Sequence, residues 1–269
     1  GNFLDIKFQD EYRNKKPIGI HWFQSIFVSG LKFTKNIFNK NHDFLKSIWI
    51  YRFSSGVAGC LSILFIYFLG RSLVGKTPAF VAASLLNVSI LFMAESYQAK
   101  TDSCLLLAMI IVMLTLAKFY LKVSCSKWDF VTLWLGLSVS ILIKGPIGPM
   151  IFITTIVTLS IWDKNFKWLL SLRPLVGFLF LILITSPWFI YISFFGSENF
   201  LSDSISNDLL SKVFSVQESH GGLPGYYTIS MWVMLWPGSM FVLPAILNGW
   251  KNKTDKLVRF FISWLVPNW

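Results

Sequence analysis

A chain of 269 residues with 54% hydrophobic and only 14% charged side chains cannot cover a water-facing surface, because a soluble domain needs far more charge than that. Its net charge of +11 does not indicate nucleic acid, since no basic soluble stretch interleaved with aromatics accompanies it; lysines and arginines flanking membrane helices account for it better. Three cysteines, Cys60, Cys104 and Cys125, show neither CxxC nor Cys/His spacing, which argues against a disulfide framework and a structural zinc.

In chain order, residues 1–46 form a polar juxtamembrane segment. Within it, KPIGIHWFQSIFVSGLKF (16–33) reads as an amphipathic helix lying in the membrane interface. Ile18, Trp22, Ile26 and Ser29 follow helical spacing, Trp22, Phe23 and Phe27 suit the headgroup layer, and Pro17 suits a first helical turn. Apolar runs follow at 47–70, 77–95, 103–122, 129–143, 146–162, 174–195 and 226–248, with another starting near 257. A bilayer core of about 30 Å needs about 20 residues of helix. The expected fold is therefore an all-α polytopic membrane bundle of about seven to eight transmembrane helices. Residues 47–195 and 226–269 supply the helices, and 196–225 form an outer loop. The opening without methionine and the short final run FFISWLVPNW lead to the expectation that the chain is a fragment of a longer protein.

Orientation follows from the basic residues. If the loop after the first span is inside, the inner loops hold twelve lysines and arginines and the outer loops after that span only three, Lys100, Lys144 and Lys212. The long N-terminal segment, with eight more on the outer side, runs against this bias, but long segments follow the rule poorly. Acids sort the other way: Asp129, Asp163 and Asp255 fall inside, while Asp102, Glu95, Glu218 and seven others fall outside. Chemistry at the outer face is one reason for such an excess.

Four outer segments carry polar groups suited to that chemistry: YRNKKPIGIHW, ESYQAKTDSCLL, LIKGPIGP and SISNDLLSKVFSVQESHGGLPGYY. They bring Lys16, Asp102, Lys144, Lys212, Glu218 and His220 to one membrane face. Clustered lysines suit a phosphate at headgroup depth, and Glu218 with His220 suits acid/base work or metal ligation. Four of these residues also have a plainer reading. Lys144 is a snorkelling lysine, Asp102 an N-cap beside Thr101, His220 a loop residue, and Lys16 a headgroup contact.

Taken in order, these segments resemble bacterial polyprenyl-phosphate-dependent glycosyltransferases of the GT-C class, of the aminoarabinose transferase and protein O-mannosyltransferase-like family. KKPIGIHW resembles the family's Lys-Pro-Pro-Leu-x-Tyr-Trp motif, IYRFSSGVAGCL its Arg-Leu-Pro-Ser span start, and ESYQAKTDSCLL its Ala-Arg-x-x-x-Thr-Asp element. LIKGPIGP is similar to its Thr/Ile-Lys-Gly-Pro turn, and NDLLSKVFSVQESHGGLPGYY with WPGSM to its outer loop and next span. The resemblance implies a GT-C-like bundle in the bacterial inner membrane with its active site facing the periplasm. The implied partners are a polyprenyl-phosphate-linked sugar, a lipid acceptor such as lipid A, and membrane lipids, with no nucleic acid. Asp102, Glu218 and His220 are the implied catalytic residues, and Lys16, Arg52, Lys144 and Lys212 the implied phosphate ligands. A divalent metal at Glu218 and His220 is left open. Two departures stand out: the family's upstream Asp-Glu motif has no counterpart here, and Lys15 stands where aminoarabinose transferases carry a glutamate. A multi-pass transporter or lipid flippase is the rival class, and an inactive gene fragment the third reading; the collection of polar groups at one rim, rather than at the midplane, favours the transferase.

Overall fold

The computed structural model describes residues 7–8, 11–12, 17–38, 48–123, 125–195 and 225–268. Apart from a two-residue antiparallel ladder, Lys7–Phe8 against Glu11–Tyr12, the described elements are helical. They are α1 (Gly19–Phe38), α2 (Ile48–Val74), α3 (Lys76–Asn87), α4 (Ile90–Ser96), α5 (Asp102–Leu121), α6 (Lys127–Lys144), α7 (Ile147–Trp162) and α8 (Pro174–Phe195). After the segment 196–224, which lies outside the described residues, come α9 (Tyr226–Met234), α10 (Val242–Lys251) and α11 (Lys256–Leu265). This is the all-α polytopic membrane bundle expected from the sequence. Among the described residues, α2, α5 and α8 are each long and apolar enough to cross a bilayer, and α3 with α4 makes a fourth span if the bent pair is counted as one.

Helix α5 is the centre of the bundle. Most of its length is buried, and its Met109, Val112, Met113 and Leu116 pack with Leu133 and Leu137 of α6 and Phe152 and Leu159 of α7. By contrast α2 and α8 bury only a minority of their apolar residues. The buried side of α2 is lined by small residues, Ser54, Ala58 and Ser62 at four-residue intervals, with Ser55 and Gly59 beside them. In a membrane, helices associate through this kind of close backbone approach, because lipid is as apolar as leucine and offers no hydrophobic drive. The outward side of α8, with Leu175, Phe178, Leu179 and Leu183 well exposed, is the kind of surface that lipid covers.

Two expected spans turn out to be broken. The run 77–95 divides into α3 and α4, bent by 64°. Ser89 adopts an extended backbone there, is buried, and donates its hydroxyl to the Met234 carbonyl of α9 at 3.2 Å. Asn87, Val88 and Ser89 are weak helix formers, and a contact spanning 145 residues of sequence decides the bend. The run 226–248 is interrupted at Pro237, which has no N–H to continue the helical ladder. A short 3₁₀ turn, Gly238–Phe241, joins α9 to α10, and Ser239 donates back to the Trp232 carbonyl at 2.7 Å.

The two ends of the bundle are built differently. At the end where α5 and α7 finish and α6 begins, every acid has a structural task. Asp129 closes a capping box with Ser126 and accepts from Lys118 Nζ at 3.0 Å. Asp163 accepts from the Tyr120 hydroxyl at 2.6 Å and from the Arg259 guanidinium of α11. Asp255 caps α11 by accepting from the Leu257 and Val258 amides. The opposite end carries the cavity.

Candidate functional site

At that opposite end, the start of α1, the start of α2, the approach to α5 and the finish of α6 surround a cavity of about 550 Å³. Small-molecule sites usually measure about 300–1,000 Å³. Three of its walls have identifiable causes in the local sequence.

The first wall is α1, which supplies Ile20, His21 and Gln24. Its first turn is pinned on both sides: Ile18 packs with Leu142, Trp188 and Ile192, while Ile20 packs with Ala58, Cys104 and Ile143. Gly19, between them, lies so close to α6 that a Cβ would sit 2.6 Å from the Leu142 carbonyl oxygen. No side chain fits there, so glycine is what lets α1 reach the end of α6. The expected amphipathic stripe through Ile18, Trp22 and Ile26 divides between protein contact and open surface. Trp22 packs against the Ile18 cluster, but Ile26 is 65% exposed.

The second wall is the segment entering α5, with Ala99, Lys100, Thr101 and Asp102. It is held by Ser55 of α2, whose hydroxyl donates to the Lys100 carbonyl at 3.1 Å. Lys100 in turn pairs with Glu95 at 3.1 Å. Tyr51 of α2 completes this side.

The third wall is Lys144, the last residue of α6. Gly145 caps this helix at φ +68°, a backbone conformation that glycine adopts at no steric cost, and Pro146 stands directly before α7. The Lys-Gly-Pro stretch therefore stops one helix and starts the next while leaving the ammonium at the rim.

Across the cavity the Lys144 ammonium bonds the Asp102 carboxylate. The two side chains come from 42 residues apart and remain 34% and 40% exposed. Thr101, not Asp102, occupies the cap position of α5 and makes no side-chain cap bond, and Lys144 reaches a carboxylate partner at the rim. An anion in the first turn of α5 and a cation in the last turn of α6 each suit their helix dipole, by about 0.3–1 kcal/mol. Half-exposed ion pairs contribute only about 0–1 kcal/mol to stability. A weak pair in a cavity is one that an arriving ligand can separate.

Among the sequence-predicted site residues, Asp102 and Lys144 meet here. Arg52 does not join them: it is exposed in the first turns of α2 and lies outside the lining, where its neighbour Tyr51 stands instead. Lys16, Lys212, Glu218 and His220 lie outside the described residues. Among the described residues no three His, Cys, Asp or Glu side chains come together to hold a metal. Sequence reasoning did not single out His21, Gln24 and Tyr51. The signals were present: His21 stands at the tyrosine position of the KKPIGIHW resemblance, and Gln24 follows three residues later on the same helix face.

The comparisons with known proteins agree with this architecture. Crystal structures of ArnT from Cupriavidus metallidurans superpose with TM-scores of 0.76 in the apo state and 0.75 bound to undecaprenyl phosphate. Identity is 16% in both, over 99% of this chain and 46% and 47% of those chains; this likeness establishes the fold. An uncharacterized protein of Aquifex aeolicus (strain VF5) is 25% identical over 98% of this chain and 49% of its own length. The chain thus spans about half the length of the proteins it matches. The family model described as dolichyl-phosphate-mannose-protein mannosyltransferase matches residues 15–191, which include α1 and both Asp102 and Lys144, and the chain belongs to that family.

Proposed function

We propose that this chain forms the carrier-binding half of a membrane glycosyltransferase. The enzyme moves a sugar from a polyprenyl-phosphate carrier to an envelope lipid such as lipid A, at the periplasmic face of a bacterial inner membrane. The observation that carries the reading is the Asp102–Lys144 pair, set in a sugar-sized cavity at the rim of an apolar bundle. Membership of the mannosyltransferase family and a neighbour of the same fold bound to undecaprenyl phosphate support it. So does the distribution of lysine and arginine, which by the positive-inside rule favours an outer location for the cavity end.

The chemistry needs little beyond what the cavity holds. The acceptor hydroxyl attacks the anomeric carbon, the bond from that carbon to the phosphate oxygen breaks, and the carrier leaves as a phosphate monoester. As negative charge gathers on the leaving oxygen, Lys144 and Lys100 are placed to stabilise it. A phosphate that takes over the hydrogen bonds of Lys144 frees the Asp102 carboxylate to accept the acceptor's proton. Lys16 and Lys212 are proposed as further phosphate ligands, and Glu218 and His220 as groups over the site.

The test uses the full protein in proteoliposomes, with undecaprenyl phosphate carrying a radiolabelled sugar and with lipid A as acceptor. Transfer to lipid A is expected for the wild type and is expected to be lost in Asp102→Ala and Lys144→Ala. Unchanged turnover in both variants, or carrier movement across the bilayer with no glycosylated product, would sink the assignment.

A further inference from the structure

Under the transferase reading above, the ligand changes charge during the reaction. The donor is a phosphodiester with one negative charge. The carrier that leaves is a phosphate monoester, whose second ionisation lies near about 6, so it carries nearly two. A site built only from cations would hold this product harder than its substrate. Here each lysine of the cavity already has a carboxylate. Lys144 bonds Asp102 inside it, and Lys100 bonds Glu95, which stands outside the lining, at 3.1 Å.

The Glu95–Lys100 pair is anchored at both partners. Glu95 Oε1 takes the ammonium, while Oε2 is buried without a hydrogen-bond partner among the described residues. The Lys100 backbone is tied by its carbonyl to the Ser55 hydroxyl at 3.1 Å and by its N–H to the Gln98 carbonyl at 2.9 Å. The ammonium, on a side chain 47% exposed, is the part able to swing between Glu95 and the cavity. A partly desolvated carboxylate with bonding capacity unmet draws it back.

We infer that Glu95 competes with the carrier phosphate for Lys100 and so favours release of the spent, dianionic carrier over the loaded, monoanionic one. Carboxylate and phosphate exchange at the same ammonium: an arriving phosphate draws Lys100 off Glu95 as it draws Lys144 off Asp102. The acceptor oxygen then bonds the anomeric carbon, the bond from that carbon to the phosphate oxygen breaks, and the acceptor's proton passes to Asp102. With Asp102 neutral, Glu95 is the carboxylate left to reclaim a lysine. Its repulsion scales with ligand charge, so the monoester feels it about twice as strongly as the diester.

The test is equilibrium binding to the full protein in detergent–lipid micelles at about pH 8, where the monoester is a dianion. The probes are radiolabelled undecaprenyl phosphate and its methyl ester, a diester with one charge and no sugar. The wild type is expected to bind the two within about threefold of each other. Glu95→Gln, nearly isosteric, is expected to bind undecaprenyl phosphate about tenfold tighter and the methyl ester about threefold tighter. Replacing a side chain that merely braced the turn between α4 and α5 would weaken both. Unchanged or weaker binding of undecaprenyl phosphate by folded Glu95→Gln protein, or equal tightening of both probes, overturns the inference and leaves the transferase reading standing. So does a wild-type preference for undecaprenyl phosphate larger than about threefold, a result that needs no variant and decides if Glu95→Gln does not fold. Failure of both probes to bind the wild type overturns the transferase reading, and the inference with it.

Discussion

Both ends of this bundle carry carboxylate–cation pairs, and one pair from each end, Asp163–Arg259 and Asp102–Lys144, differs from the other in what surrounds it. At the closed end, Asp163 and Arg259 are 14% and 19% exposed, and a tyrosine hydroxyl takes the carboxylate's other oxygen. At the cavity end, Asp102 and Lys144 are 40% and 34% exposed, and the structure shows no further hydrogen bond to the Asp102 carboxylate among the described residues. The first carboxylate is fully engaged, so it joins α5, α7 and α11 and has nothing left to offer a ligand. The second is half-engaged and borders open volume. Chemistry of this kind is distinguished less by residue type than by the unfilled bonding capacity of the pair.

Substitutions can break the contrast. The largest effect is expected at the cavity: Asp102→Asn should lower sugar transfer by about a hundredfold or more, about 2.7 kcal/mol of transition-state stabilisation. Its unfolding midpoint should move by no more than a rim ion pair warrants, under about 1 kcal/mol. Transfer assays with thermal unfolding in detergent separate the two numbers, and a large stability loss without an activity loss would invert the comparison. Asp163→Asn should do the reverse. Loss of a well-enclosed pair that also holds Tyr120 should cost about 2–3 kcal/mol of stability, somewhat less than a fully buried pair, with transfer per folded molecule unchanged.

Gly19→Val sharpens the picture from a different side. Its side chain collides with the Leu142 carbonyl, so α1 must shift; affinity for undecaprenyl phosphate should fall about tenfold as the wall carrying His21 and Gln24 moves, measured by equilibrium binding. Ser126→Ala, which removes the capping box of α6, should cost about 1 kcal/mol of stability without touching turnover. The smallest effect is expected for Arg52→Ala: transfer should change less than about twofold, since an exposed side chain away from the cavity contributes little.

Much of this was legible in the sequence. Apolar runs and their basic flanks marked the spans, because hydrocarbon thickness and the cost of charge in lipid act on composition directly. The meeting of Asp102 and Lys144 followed from placing both at the same rim. What sequence could not supply was helix phase and long-range contact. Tyr51 and Arg52 are adjacent, yet about 100° of helical rotation separates a residue in the lining from one outside it, and that rotation is set by how α2 docks on α5. The bend at Ser89 depends on a carbonyl in α9, and the division of the α1 stripe depends on where α6 ends. Local pattern carries none of that information.

The seat of Gly19 on the α6 backbone has a mechanical consequence. Backbone against backbone at Gly19, with Ile18 and Ile20 seated on either side of it, fixes the near end of α1 on α6, so α1 acts as a lever hinged at its first turn. Its far half, with Ile26 bare, offers a handle to the surrounding lipid. Thinning or thickening the membrane should therefore tilt the lever and widen or narrow the mouth above Lys144, which makes the bilayer itself a dial on substrate entry.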